Sequence, residues 1–94
     1  MARSKVTGLA LGFRLMSDRT RLAMLKMLRS GPKNVTQLSD GVGCKQPLVS
    51  HHLGLLREGG LVAVTRQGQS MVYALDADGM KKLAVAIKRL TPKQ

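Results

Sequence analysis

The chain has 94 residues, the size of one small domain spanning residues 1–94. Sixteen lysines and arginines oppose five acidic residues, which gives a formal net charge of +11. So basic a balance points to a polyanionic partner, most often nucleic acid and less often an anionic membrane. No stretch approaches the roughly 20 apolar residues of a membrane span, and the single cysteine, Cys44, excludes an internal disulfide. We therefore expect a cytoplasmic protein with no membrane partner.

Apolar spacing and capping residues predict four helices in the first two thirds of the chain. The first ends near Met16, and Asp18 then caps a second, which ends at Gly31 and the proline after it. The third covers Val35–Val42, and the fourth covers residues 45–58, closed by two glycines. Because only two residues are aromatic, aliphatic side chains and methionine must fill the core.

The period of the sequence changes after the fourth helix. Residues 61–66 and 70–75 are typical of strands, and Gly68 between them can take a positive φ angle, so they predict a β-hairpin. Asp76 then begins a last helix with an apolar stripe. The order α-α-α-α-β-β-α is that of a mainly helical chain with one hairpin. A helix pair joined by a tight turn and followed by a hairpin indicates a winged helix-turn-helix.

The fourth helix, which would enter the major groove of DNA, has two different faces. On an ideal wheel of about 100° per residue, one arc of roughly 160° holds apolar residues and one histidine: Leu48, Val49, His52, Leu53, Leu55 and Leu56. The opposite arc holds small or hydrogen-bonding residues, with His51 at its edge: Gln46, Pro47, Ser50, Gly54 and Arg57. An ordinary solvated face is the alternative, but the charge and the hairpin favour groove binding.

The two adjacent histidines of this helix do not predict a metal site. Neighbouring helical residues point about 100° apart, so His51 and His52 cannot chelate one ion, whereas residues four apart can. We expect His52 to pack in the core with a satisfied ring nitrogen, and His51 to contact DNA.

Three stretches together resemble the arsenic-repressor (ArsR) family of bacterial metal- and stress-responsive repressors. They are SDRTRLAMLKML, QPLVSHHLGLLREGGLV and the hairpin ending VYAL, and the resemblance covers about residues 16–75. It implies a homodimer joined through the first and last helices, which binds an inverted-repeat operator and represses until an inducer is sensed. Thr20 and Arg21 match the family's Thr-Arg-Leu signature. Arg21 has two equally good interpretations, a functional role shared with the family and a purely structural pairing within the fold.

The resemblance also implies which residues meet DNA. Gln46, Ser50 and His51 would face the bases, since an amide can pair with adenine and a hydroxyl with several bases or with phosphate. Residues 66–69 would form the wing, and Lys45 places a cation where phosphates pass. The full set of expected DNA-binding residues is Lys45, Gln46, Pro47, Ser50, His51, Arg57, Arg66, Gln67 and Gln69.

The chain departs from metal-sensing members of the family at both usual sites. Residues 34–36 are Asn-Val-Thr where such members carry Cys-x-Cys, and the last helix has Asp76 and Asp78 but no histidine. Transition-metal sites generally need thiolate or imidazole ligands. We therefore expect no metal at either site and no cofactor; a small-molecule or redox inducer stays open and unidentified.

Cys44 lies in the turn before the fourth helix, where the family usually has an apolar residue. One interpretation is a small buried filler. The other is a redox trigger, since Lys45 and the following helix start both favour a thiolate.

The positive charge is concentrated outside the predicted DNA-contacting helix. Residues 1–33 carry a net charge of +7, residues 34–75 only +1 and residues 76–94 a net +3. We expect Arg3, Lys5, Arg19 and nearby bases to contact the DNA backbone or to steer association.

The sequence favours a dimeric, sequence-specific transcriptional repressor. One alternative is a nucleoid-type architectural protein that binds DNA by charge with little sequence choice, and a protein-interaction module is a third class. An enzyme is the least favoured, because the chain offers no nucleophile and base in a plausible arrangement.

Overall fold

The computed structural model describes residues 3–93, with side chains from residue 6 onward. The side chains of Arg3 and Lys5, for which we expected DNA contacts, therefore lie outside the described residues. The helices are α1 (Arg3–Met16), α2 (Arg19–Leu28), α3 (Val35–Val42), α4 (Gln46–Glu58) and α5 (Ala77–Leu90), and the strands are β1 (Lys33–Asn34), β2 (Val62–Gln67) and β3 (Ser70–Leu75).

This mainly helical chain with one hairpin confirms the predicted fold class, with one addition. The short strand β1 pairs antiparallel with β3 and makes a three-stranded sheet of order β1-β3-β2. Lys33 lies opposite Tyr73, and Asn34 lies opposite Val72. Two residues are too few to show the alternation that marks a strand in a sequence, so the sequence did not predict β1.

Side-chain caps fix the start of three helices at the predicted places. Asp18 accepts a hydrogen bond from the Arg21 amide at 2.9 Å, and Asp76 accepts one from the Gly79 amide at 3.0 Å. Asn34 begins α3 in a reciprocal capping box with the third residue of the helix. Each cap satisfies amide groups that the first turn of a helix leaves without a partner.

One apolar core joins α2, α3 and α4 to the base of the hairpin. Leu38 of α3 and Leu53 of α4 are fully buried at its centre, and Leu15 and Leu83 connect it to the first and last helices. The remaining buried apolar residues are Met24, Leu25, Leu28, Val49, Leu56, Leu61 and Val62. Because three of these buried side chains come from α4, the core fixes the position of that helix.

Helices α1 and α5 pack against each other but leave apolar side chains in solvent. They approach closely at Gly12, where an added Cβ would meet the side chain of Leu83. The predicted apolar stripe of α5 consists of Met80, Leu83, Ala84, Ile87 and Leu90. Only Leu83 of this stripe is buried, whereas Ile87 is half exposed and Leu90 is 80% exposed. Val6 and Leu11 of α1 are also about half exposed, at 50% and 51%.

Two glycines, one in open space and one in close contact with the backbone, give a test of how tightly the helices are packed. An added Cβ at Gly54, in the middle of α4, meets nothing within 4 Å, whereas at Gly79 it would overlap the carbonyl oxygen of Gly60. We expect Gly54→Ala to raise the free energy of unfolding by about 1 kcal/mol, because alanine favours a helix more than glycine does. That gain corresponds to a rise in Tm of roughly 4–8 °C.

Gly79→Ala is the matched control in the same thermal-denaturation measurement. It should lower Tm, because the start of α5 must move away from Gly60 to accept the methyl group. Equal effects of the two substitutions would contradict this account.

Candidate DNA interface

Helix α4 buries one face completely and presents the other to solvent. Val49, Leu53 and Leu56 are 0% exposed. The outer face carries short or hydrogen-bonding side chains, all exposed: Gln46, Pro47, Ser50, His51, Gly54 and Arg57. The predicted division of this helix into a core face and an outer face is therefore present, with one exception.

The exception is Leu48, which the helical wheel placed on the core arc. Its side chain is 46% exposed, and it is not among the residues that pack on the core. It lies near the edge of the predicted apolar arc, about 100° around the helix from the fully buried Val49. The prediction that Leu48 faces the core is wrong for this reason.

The turn that joins α3 to α4 has a defined geometry. Gly43 ends α3 with a φ angle of 72°, in the left-handed region that favours glycine, and its amide donates to the Ser39 carbonyl at 2.9 Å. The Ser39 hydroxyl donates to the carbonyl of Cys44. Pro47 lies in the first turn of α4, where its missing N–H leaves no helical bond unmade, and Lys45 precedes it without a side-chain cap.

Cys44 is half-buried in this turn and packs against the core. Its Sγ lies 3.9 Å from the Val42 carbonyl oxygen. This environment fits the filler interpretation, and the redox trigger stays a prediction.

Gln46 is held in place by the preceding helix. Its amide nitrogen donates to the Thr36 hydroxyl at 3.2 Å. A glutamine amide has two N–H groups and a carbonyl oxygen, so one N–H and the carbonyl oxygen stay available. Those two groups are what a bidentate contact with adenine requires.

His52 is buried, at 9% exposure, and belongs to a polar network rather than to the outer face. Its Nδ1 lies 3.2 Å from Nη1 of Arg21, and its Nε2 lies 4.0 Å from Oδ2 of Asp18. Because a guanidinium can only donate, Nδ1 accepts, and the proton of the neutral ring is on Nε2. The expectation of a packed, satisfied histidine agrees with this geometry.

Arg21 connects three elements through that network. Its Nε donates to the Leu15 carbonyl at 2.6 Å, at the end of α1, while its Nη1 reaches α4. Of the two interpretations of Arg21, this geometry supports structural pairing. No sequence pattern pointed to the Arg21–His52 contact, since the two residues lie 31 positions apart.

The hairpin presents polar residues at its tip. Gln67 pairs with Ser70, so Gly68 and Gln69 form a two-residue turn, in which Gly68 has a φ angle of 62°. Arg66 Nε donates to the Gly68 carbonyl at 3.1 Å, which holds the guanidinium beside the turn. Arg66, Gln67 and Gln69 are all exposed.

Basic side chains line the outer surface of α2. Arg19, Lys26 and Arg29 are exposed and share a narrow stripe with Leu22, at helical spacing. None of these three forms an ion pair within residues 6–93. Their charge is therefore not neutralised by neighbouring acids.

Comparisons with known proteins agree with this geometry. Residues 18–64 match the model of the family described as bacterial regulatory protein, arsR family. The chain belongs to the arsR family. A relative, the HTH-type transcriptional regulator NmtR of Mycobacterium tuberculosis, is 48% identical over 56 residues, which are 60% of this chain and 47% of NmtR. The chain thus spans about half the length of that relative.

Solved structures of regulators share the arsR-family fold. The transcriptional repressor BigR from Xylella fastidiosa superposes with a TM-score of 0.74 at 28% identity, covering 100% of both chains. The homodimeric winged helix-turn-helix DNA-binding domain of a Mycobacterium bovis protein superposes with a TM-score of 0.78 at 21% identity. It covers 93% of this chain and 82% of that domain. These likenesses establish the winged helix-turn-helix fold.

Three of the residues compared above with family metal ligands make other hydrogen bonds. Asn34 caps α3, Thr36 accepts from Gln46, and Asp76 caps α5. Within the part of the chain that the structure describes, no three His, Cys, Asp or Glu residues are grouped so as to hold a metal. Among the described helices, none is long and apolar enough to cross a membrane.

The cap at the start of α2 predicts a pH dependence of stability. The Arg21 amide donates to Asp18, and this bond, aided by the positive charge of Arg21, lowers the pKa of that carboxyl below its ordinary value of 3.8. A lowered pKa in the folded state means that the ionised carboxylate stabilises the fold above its ordinary pKa. That contribution disappears as the pH falls through the lowered value.

Asp18→Asn is the matched variant, because asparagine can also cap a helix but does not titrate. We expect wild type to be more stable than Asp18→Asn near neutral pH, and the difference to shrink as the pH falls below 3.8 and through the lowered pKa of Asp18. Urea denaturation of both proteins from about pH 7 to pH 2.5 measures it. A difference that stays constant across this range would contradict the assignment.

Proposed function

We propose that this chain is a cytoplasmic, sequence-specific transcriptional repressor that binds an inverted-repeat operator as a homodimer. The observation that carries the proposal is the outer face of α4. Three of its exposed residues, Gln46, Ser50 and His51, carry uncharged hydrogen-bonding side chains, and Val49, Leu53 and Leu56 on its inner face are fully buried. A rigid helix with such a face, beside a hairpin with a polar tip, has the parts that base recognition in the major groove requires.

Each residue of the interface has a proposed role. Gln46, Ser50 and His51 contact base edges, with Gln46 directed by its bond to Thr36. Lys45 and Arg57 lie at the two ends of the helix and contact phosphates, while Pro47 sets the start of the helix. The wing residues that contact the neighbouring minor groove or backbone are Arg66, Gln67 and Gln69.

The proposed dimer interface is formed by α1 and α5. It would bury the half-exposed Leu11 and Ile87 and the almost fully exposed Leu90. Burial of such apolar surface is the main favourable term in most protein associations. The Mycobacterium bovis domain of the same fold is homodimeric, which supports dimerisation but does not identify the helices involved. Two copies of α4 would then contact half-sites about one helical turn of DNA apart.

We further propose that the chain senses no metal through the two sites usual in the arsR family. The amide, hydroxyl and carboxylate groups present there are poor substitutes for thiolate and imidazole. Two of these residues, Asn34 and Asp76, already cap helices.

Charge supports a second candidate, a nucleoid-type architectural protein. Residues 1–33 hold a net charge of +7, whereas Arg57 and Glu58 at the end of α4 cancel each other. Affinity that comes from outside the base-contacting helix would favour all DNA sequences alike.

Selection of bound sequences from random DNA separates the two functions. The repressor should enrich a palindrome, and Gln46→Ala should relax the preference at one position of each half-site. Ile87→Glu, which places a charge in the proposed dimer interface, is the control; it should sediment as a monomer and lose the palindrome. Enrichment of no motif over competitor DNA at physiological salt would favour the architectural protein instead.

The basic stripe on α2 predicts the salt dependence of binding. A variant in which Arg19, Lys26 and Arg29 are all replaced by glutamine should bind operator and random DNA more weakly by a similar factor. The slope of log K against log salt should shrink by about 0.9 for each phosphate that the variant no longer neutralises. Lys81→Gln with Lys82→Gln on α5 is the control for removal of surface charge. An unchanged slope in the α2 variant would contradict its role in binding the DNA backbone.

A further inference from the structure

Leu48 is the large apolar residue of α4 that lies outside the buried core. It is 46% exposed, while Val49 beside it is fully buried. It is absent both from the core and from the half-buried residues packed on the core. The buried core therefore does not require a leucine at this position.

The position of Leu48 places it among the residues that meet bases in a helix-turn-helix. It is the third residue of α4, and the N-terminal residues of such a helix contact base edges. At about 100° per residue, Gln46 and Leu48 lie toward opposite edges of the exposed face. Ser50, Gly54, Pro47 and His51 lie between them, and Gly54 has open space above it. Because Ser50, Gly54 and Pro47 are short, this part of the helix can approach the groove closely, which lets both edge residues reach bases.

The apolar chemistry of a leucine side chain limits the base groups that it can recognise. It has no donor or acceptor, so it cannot discriminate by hydrogen bonding. Among unmodified base pairs, the major groove presents one apolar group, the C5-methyl of thymine. We propose that Leu48 is a specificity-determining residue that contacts a thymine methyl group in each half-site. This inference rests on the proposed function and adds a base preference that Gln46, Ser50 and His51 do not supply.

Replacing thymine by uracil tests the proposal, because that change removes the methyl group and nothing else. Each thymine of a selected half-site is replaced in turn, and the affinity of wild type is measured. At one position, uracil should weaken binding about three- to fivefold per half-site, the expected effect of burying one methyl group. Leu48→Ala should bind thymine and uracil duplexes equally well at that position. Gln46→Ala is the control and should keep the thymine preference.

Two results would overturn the inference. Wild type could bind every uracil duplex as tightly as its thymine counterpart, or Leu48→Ala could keep the full thymine preference. Leu48→Gln, which preserves side-chain length, should lose the preference as well, and unchanged Tm values would show that both variants fold. If selection enriches no motif at all, the proposed function fails and this inference fails with it, a result distinct from the first two.

Discussion

The structure depends most on the burial of the inner face of α4. Val49, Leu53 and Leu56 have no exposed surface, and each contributes roughly 1.5–3 kcal/mol of burial relative to an exposed side chain. The Arg21–His52 contact adds a polar link from α2 to the same face, and Arg21 continues it to the Leu15 carbonyl of α1. Because α4 is fixed from inside by both kinds of interaction, its outer face can be composed without regard to folding.

Sequence reasoning succeeded where short-range chemistry decides the structure. Asp18, Asn34 and Asp76 each supply a cap whose partner lies three residues away, so the helix starts followed from local sequence. It failed where contacts between residues far apart in the sequence determine the structure. The strand β1 exists because β3 pairs with it, and Leu48 is exposed because the core covers Val49 but not the edge of the apolar arc where Leu48 lies.

The same distinction between local and long-range contacts applies to the candidate DNA interface. The exposed polar residues of α4 followed from helical periodicity, since a packed helix has one outer face. The bond between Gln46 and Thr36 and the contact between His52 and Arg21 did not, because both join elements whose relative placement the tertiary fold determines. Leu48 shows the limit of the wheel, which assigns an apolar residue to the core without knowing how far the core extends.

Two features of α4 would weaken an isolated helix, and a third leaves apolar surface exposed. Lys45 precedes it without a side-chain cap, Gly54 lies in its middle, and Leu48 is a large apolar residue left in solvent. A glycine alone costs about 1 kcal/mol relative to alanine. Sequences depart from local consistency mainly where function requires it, and all three departures are exposed residues of α4 or its N-cap. In a DNA groove, a cation at the helix start can contact phosphate, a glycine allows a close backbone approach, and a leucine can contact an apolar group of a base. Their coincidence in one helix is therefore a physical argument for the proposal that its exposed surface contacts DNA.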